Sequence, residues 1–353
     1  MRMRMMHAFA AILIVAGSGC DTVADPAPVQ TGPSGVYVVN EGAFRSSNAE
    51  LSFIDPATGA VSGAVFSRTN PGRTLGDVAN HASLAFGRLY VVLNNSRKIE
   101  VIEPGTHRWL QTISLTTSPR QISVVSAFKA YVTNMDSTVS ILDLVGGTEA
   151  RRLTVGTFPE AMVVSGSRLY VLNGGFGYGT TISVVDILSD SVVQTIPTPS
   201  GPSYGVTTSA GLVHVSCTGY QDFFDPLLQA PGSVITLEGA SGTVVDTVWL
   251  SGPGGKIAAD ATGALYVLGP GSGTAQAVWK LSGGSSPIVL SSTLVAGSYY
   301  GIGIHSARNE LYLSEAGDFV SNGRVQVRSQ SGALIREYTA GIGVAPNGFV
   351  VLP

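Results

Sequence analysis

The chain has 353 residues, of which 12% are charged, with a net charge of −3 and only four lysines. A hydrophobic share of 44% supports a sizeable core, and 44 glycines favour turns over long helices. No basic stripe exists to meet phosphates, so nucleic acid is excluded as a partner.

Residues 1–20 read MRMRMMHAFAAILIVAGSGC. Arg2 and Arg4 precede a short apolar run, which predicts a secretory signal too short to span a bilayer stably. GSGC resembles the bacterial lipobox, in which small residues precede a cysteine that becomes lipidated; Gly17 stands where that pattern prefers Leu. The resemblance implies a lipid anchor at Cys20 and a place at the cell envelope, on the outer membrane or cell surface. The alternative is an ordinary cleaved signal. Residues 21–34 carry three Pro and no apolar period, which predicts a disordered tether to a soluble, exported body at 35–353. The one other cysteine, Cys217, is expected to be a small buried hydrophobe at a strand end.

From Gly35 onward the chain repeats. An apolar residue, Tyr and an apolar residue follow a turn at Tyr37, Tyr90, Tyr131, Tyr170, Tyr266 and Tyr312, with VHV around His214 as a weaker copy. The spacings of 53, 41, 39, 44, 52 and 46 residues match the blades of a propeller. Each unit has a Pro- or Gly-led segment, the Tyr strand, an Asn-rich kink, a third strand ending in Asp or Glu (Asp55, Glu103, Asp143, Asp186), and a fourth strand. The acidic residues are expected to form turns. The predicted fold is all-β, a seven-bladed propeller with four-stranded blades. The first unit lacks its opening segment and the tail GIGVAPNGFVVLP resembles it, so the C-terminal strand is expected to complete blade 1 and close the ring. A two-domain arrangement is the alternative.

Such blades bring two polar sets to one face. The first is Asn80 and His81, Arg120 and Gln121, Glu160, Tyr204, Lys256, Tyr299 and Tyr300; the second is Asn40 with Glu41, Asn94 and Asn95, Asn134 with Asp136, Asn173, the Asp222 loop, and Glu315 with Asp318. Structural repetition accounts for the strands but not for Arg, Glu, Tyr and Lys at equivalent places. The first set is expected to contact a ligand, whereas any single Asn also fits a turn. Aromatics sharpen the expectation. Phe176 and Tyr178 lie in one kink, and Phe223 and Phe224 lie in the long loop CTGYQDFFDPLLQAPG at 217–232. Exposed aromatics there either pack on the loop itself or bind something.

Catalytic chemistry is sparse. No HExxH, Walker loop or paired-Cys site is present, and no metal or cofactor is expected. GPSYG at 201–205 matches GxSxG in form, but Pro202 and a strand pattern follow where a nucleophile elbow needs a helix.

The units LYVVLNNSRKIEVIEP, AYVTNMDSTVSILDL and LYVLNGGFGYGTTISVVDI resemble the YVTN-type seven-bladed propellers of bacterial surfaces. VYVVNEGAFRSSNAELSFID, YYGIGIHSARNELYLSEAGDF and GIGVAPNGFVV are similar to a group of surface lipoprotein propellers from Bacteroidetes-like bacteria. That resemblance implies capture of a corrinoid, as some members take cobalamin and pass it to an outer-membrane transporter. The chain is therefore expected to be a lipid-anchored, monomeric binding protein rather than an enzyme. Two alternatives stand: a glycan- or protein-binding module, and a propeller lyase or lactonase with His81 or Glu160 as base.

Overall fold

A computed structural model of the protein describes residues 34–353 except 223–224, 226–228, 271–275 and 283–289. The expected lipidation site Cys20, the tether up to residue 33, and Phe223 and Phe224 lie outside the described residues. No helix among the described residues is long and apolar enough to cross a membrane.

Seven four-stranded antiparallel sheets are present. Their innermost strands, taken in ring order, are Pro346–Leu352, Ala79–Ala85, Pro119–Val124, Met162–Ser165, Pro202–Thr207, Ile257–Ala259 and Gly301–His305. Each touches the next, and the last touches the first, so the sheets form a closed propeller. Blade 1 is closed as the repeat predicts. The C-terminal strand pairs with Gly35–Asn40, Tyr37 opposite Val350 and Gly35 opposite Leu352, with a bulge at Val39 and Asn40. Its outermost strand is short, Val61–Ser62, and a single helical turn, Val65–Thr69, follows it.

The second strand of each blade is buried on both faces, which is why it reads as an unbroken apolar run rather than an alternating one. In Arg88–Leu93, Leu89, Val91 and Leu93 pack into the cluster shared with blade 1, while Tyr90 and Val92 pack into the cluster shared with blade 3. The core therefore lies between blades, and each sheet is stabilised by its neighbours.

The recurrent Tyr gives this packing a polar end. All six rings are almost wholly buried. Tyr37 of blade 1 accepts from Gly105 N at 2.8 Å and meets His107 Nδ1 at 2.8 Å in blade 2. Tyr131 of blade 3 donates to Asp190 in blade 4, and Tyr170 of blade 4 donates to Gly239 O of blade 5 at 3.1 Å. Tyr266 and Tyr312 bond carboxylates of their own blades, Asp260 and Glu310. The acidic residues after the third strands do form turns: Asp55 accepts from Ala57 N and Thr58 N, Asp186 from Leu188 N and Ser189 N, and Asp143 from Val145 N.

Candidate functional site

A cavity of ≈280 Å³ opens where the innermost strands begin. Every blade contributes to it. Blade 2 supplies Asn80 and His81, blade 3 Arg120 and Gln121, blade 4 Glu160, blade 5 Tyr204, blade 6 Lys256, blade 7 Tyr300, and the closing strand of blade 1 Asn347. The first polar set thus converges, with one exception. Tyr299 turns away, 7% exposed in the core between blades 6 and 7, its hydroxyl donating to Gln326 Oε1 at 3.1 Å.

An ion pair spans one wall. Arg120 Nε and Nη2 donate to Glu160 Oε2 at 2.9 and 2.6 Å. Burial works against the guanidinium charge, but Glu160 beside it, with Tyr204 and Glu41 further off, raises its pKa on balance. Opposite stands a second polar chain. Tyr300 donates to Glu41 Oε2 at 2.6 Å, and Asn347 Nδ2 reaches the same oxygen at 3.2 Å. Lys256 Nζ donates to Asn347 O at 2.5 Å and lies 4.6 Å from the Tyr300 ring centroid. Burial, helped by Arg120 and opposed by Glu41, brings the Lys256 pKa down to about 8. Burial and the neighbouring Glu160 push Tyr204 up to about 12.

His81 holds the floor. Its Nε2 meets Gln121 Nε2 at 3.3 Å, and Gln121 Oε1 accepts from Met162 N. His81 Nδ1 and Asn80 Oδ1 are buried without a protein partner. Burial, then Lys256, brings the His81 pKa down to about 4, so the ring is neutral at physiological pH.

The second set is placed differently. Asn40 donates to Ser52 Oγ at 3.0 Å and accepts from Gly343 N at 3.0 Å; Asn94 donates to Pro119 O at 2.8 Å. Asn134 donates to Thr138 and Ser140, and Asn173 to Thr181 and Ser183. All four are buried in the scaffold, where they tie strand ends together. Phe176 and Tyr178 are exposed and line no part of the cavity, and Asp222 accepts from Tyr220 away from it. One cavity group lies outside the first set, and Glu41, a kink residue, stands behind the wall, where it accepts from Tyr300 and Asn347. Asn347 occupies, in APNG, the position after Pro that Arg120 holds in SPRQ and Glu160 in FPEA; that alignment was the available signal. Ser203 of GPSYG turns its hydroxyl back to Gly201 O at 2.9 Å, a bond that closes the turn and leaves no base against the oxygen. Among the described residues no three His, Cys, Asp or Glu side chains cluster as metal ligands would.

His214, which replaces the recurrent Tyr in blade 5, is fully buried with Nδ1 2.9 Å from Thr236 Oγ1. Burial, slightly opposed by Asp246, brings its pKa to about 4 as well. Between pH 6.5 and 4 the unfolded chain therefore binds protons at His81 and His214 that the folded chain does not. Stability is full above pH 6.5 and falls as the pH drops toward 4. The loss attributable to His214 is about 3 kcal/mol at most, and the shift at His81 acts in the same direction. Urea unfolding of His214→Tyr, which restores the residue of the other six blades, is expected to show a clearly shallower decline between pH 6.5 and 4.5 than the parent chain.

The geometry is shared widely at the level of fold. The periplasmic gluconolactonase of Pseudomonas aeruginosa superposes with a TM-score of 0.68 at 16% identity, over 91% of this chain and 99% of that one. A quinonprotein alcohol dehydrogenase-like protein from Bacteroides thetaiotaomicron gives 0.68 at 12% identity, over 90% and 78%. Hydrazine synthase of Kuenenia stuttgartiensis gives 0.62 at 16%, over 76% and 88%. At these identities the likeness shows the propeller and nothing about the reaction. No curated protein sequence matches the chain. Residues 34–339 match the family described as a domain of unknown function, DUF5074, and the chain belongs to that family.

Proposed function

We propose that the protein is an exported, lipid-anchored binding protein whose channel mouth captures a corrinoid and presents it to an outer-membrane transporter. The observation that carries the reading is the convergence of unlike side chains from all seven blades on one cavity. The cavity is too small to enclose a corrin ring, since sites that bury a drug-sized molecule run from roughly 300 to 1,000 Å³. In this reading one amide arm enters, meeting Asn80, His81, Arg120 and Gln121, while the ring rests on the rim. Tyr300 and Phe319, whose rings meet edge to face at 5.0 Å with Phe319 48% exposed, supply an aromatic edge there. The closed ring holds these groups in place beforehand, which lowers the ordering cost of binding.

The test is isothermal titration with cyanocobalamin. Saturable heat at micromolar protein is the expected result, weakened at least tenfold in Asn80→Ala; no heat under those conditions removes the corrinoid. A second reading, hydrolysis of a small lactone, is favoured by the neutral His81 in a cavity of monosaccharide size. Proton release from glucono-δ-lactone above the spontaneous rate, lost in His81→Gln, would select it instead.

A further inference from the structure

We propose that the rim between blades 4 and 5 carries a second site, for a neutral saccharide, that works independently of the channel mouth. A cavity of ≈440 Å³ lies there, lined by Phe176, Thr218, Tyr220, Gln229, Pro231 and Pro253 among others. Its described lining holds no carboxylate, ammonium or guanidinium, in contrast to the channel mouth, where Arg120, Glu160 and Lys256 all project. The lining offers a charged ligand no direct counter-ion, although Asp222 accepts from the Tyr220 hydroxyl. An uncharged one would find aromatic and prolyl faces alternating with a hydroxyl and an amide. A pyranose has that composition, with an apolar C–H face on one side and hydroxyls around its edge.

Phe176 is the second observation. It is 59% exposed, and its backbone is left-handed, with φ +54°. A bulky residue in that region is strained and an exposed ring forgoes burial; Phe86, Phe158 and Phe319 share both features, and Phe176 differs in lining the cavity. Folding alone would favour glycine there. The neighbouring backbone shows how tightly the loop is held: a Cβ at Gly177 would come within 2.8 Å of Gly219 O, so the Phe176 loop is pressed against the loop of blade 5. Phe158 packs at 5.2 Å against Phe176, and Tyr178 packs at 4.6 Å against Tyr220. These pairs fix the rings that face the cavity before any ligand arrives. The volume admits a disaccharide or the end of a longer chain.

The experiment titrates the whole exported chain with cellohexaose, chitohexaose, maltohexaose and laminarihexaose, following heat and saturation-transfer signals. At least one is expected to bind saturably, with a dissociation constant of about 0.1–1 mM. Phe176→Gly is expected to weaken that binding at least tenfold while its melting temperature stays level or rises, because the strain is gone. Tyr220→Ala, which leaves Phe176 in place, should also weaken it. Arg120→Ala, in the other cavity, should leave it unchanged, and excess cyanocobalamin should not compete. The proposal is overturned if none of the four saturates, if Arg120→Ala abolishes saccharide binding, or if decaproline binds this rim and the saccharides do not. Failure of the corrinoid titration leaves it standing, since the two sites share no residue named above.

Discussion

A chain ending at residue 345 is expected to lose its cooperative unfolding transition and to aggregate. The strand it lacks, Pro346–Leu352, supplies the innermost sheet position of blade 1. Val350 and Leu352 pack with blade 2, and Phe349 and Val351 with blade 7. Burying four such side chains contributes on the order of 6–10 kcal/mol before entropy is subtracted. The polar losses add to this. Asn347 Nδ2 bonds Ala79 O and Glu41, its carbonyl accepts from Lys256, and Pro346 O accepts from Ser314 Oγ. Gly35–Asn40, buried along its whole length, would become an open edge. The total approaches the stability of an entire domain. Scanning calorimetry of the truncated chain, with and without a peptide of residues 346–353 added in trans, checks the expectation. A sharp transition within a few degrees of the parent would mean that the ring holds without its closing strand.

The blade count and the closure were legible because they rest on repetition, which survives variation at any one residue. The channel mouth was legible for the same reason: once the innermost strands are aligned, the residues after Pro119, Pro159, Gly255 and Pro346 differ in chemistry while their surroundings repeat. The placement of the four Asn was not read, although the signal is in the parity of the strand. In Arg168–Asn173, Leu169 and Val171 lie in the cluster between blades 3 and 4, and Asn173, two residues on, shares their face. In Lys129–Asn134, Ala130 and Val132 set the same parity for Asn134. Period-two alternation thus sends these amides into the blade interface. What no pattern could supply is the cavity's volume, because that depends on how far seven loops lean over one another. In the proposed reading it is this volume that would keep a corrinoid at the rim.

Arg120→Ala is expected to abolish ligand binding at the channel mouth while also destabilising the fold, and the two effects can be separated. Arg120 places two N–H groups on one oxygen of Glu160, with the side chains 25% and 14% exposed. Truncating Arg120 leaves a carboxylate with little water and no counter-charge, and truncating Glu160 does the same to the guanidinium. Breaking a fully buried pair costs about 3–5 kcal/mol. Partial exposure here reduces that to roughly 1–2 kcal/mol. Replacing both at once removes the stranded charge, so Arg120→Met with Glu160→Met is expected to recover most of the lost stability, with a favourable coupling energy in the double-mutant cycle. Binding should behave otherwise. A ligand arm that reads the cavity through Arg120 loses its partner in the single and the double variant alike, so cyanocobalamin affinity is expected to fall about a hundredfold in both. Arg120→Lys discriminates further: it keeps the charge opposite Glu160 but not the planar fork, so stability should stay close to the parent while binding still weakens. Chemical denaturation and calorimetric titration on the parent, Arg120→Ala, Arg120→Lys, the two single Met variants and the double variant supply both readouts. If affinity returns together with stability in the double variant, the pair is a scaffold element of the channel wall and the ligand does not touch it.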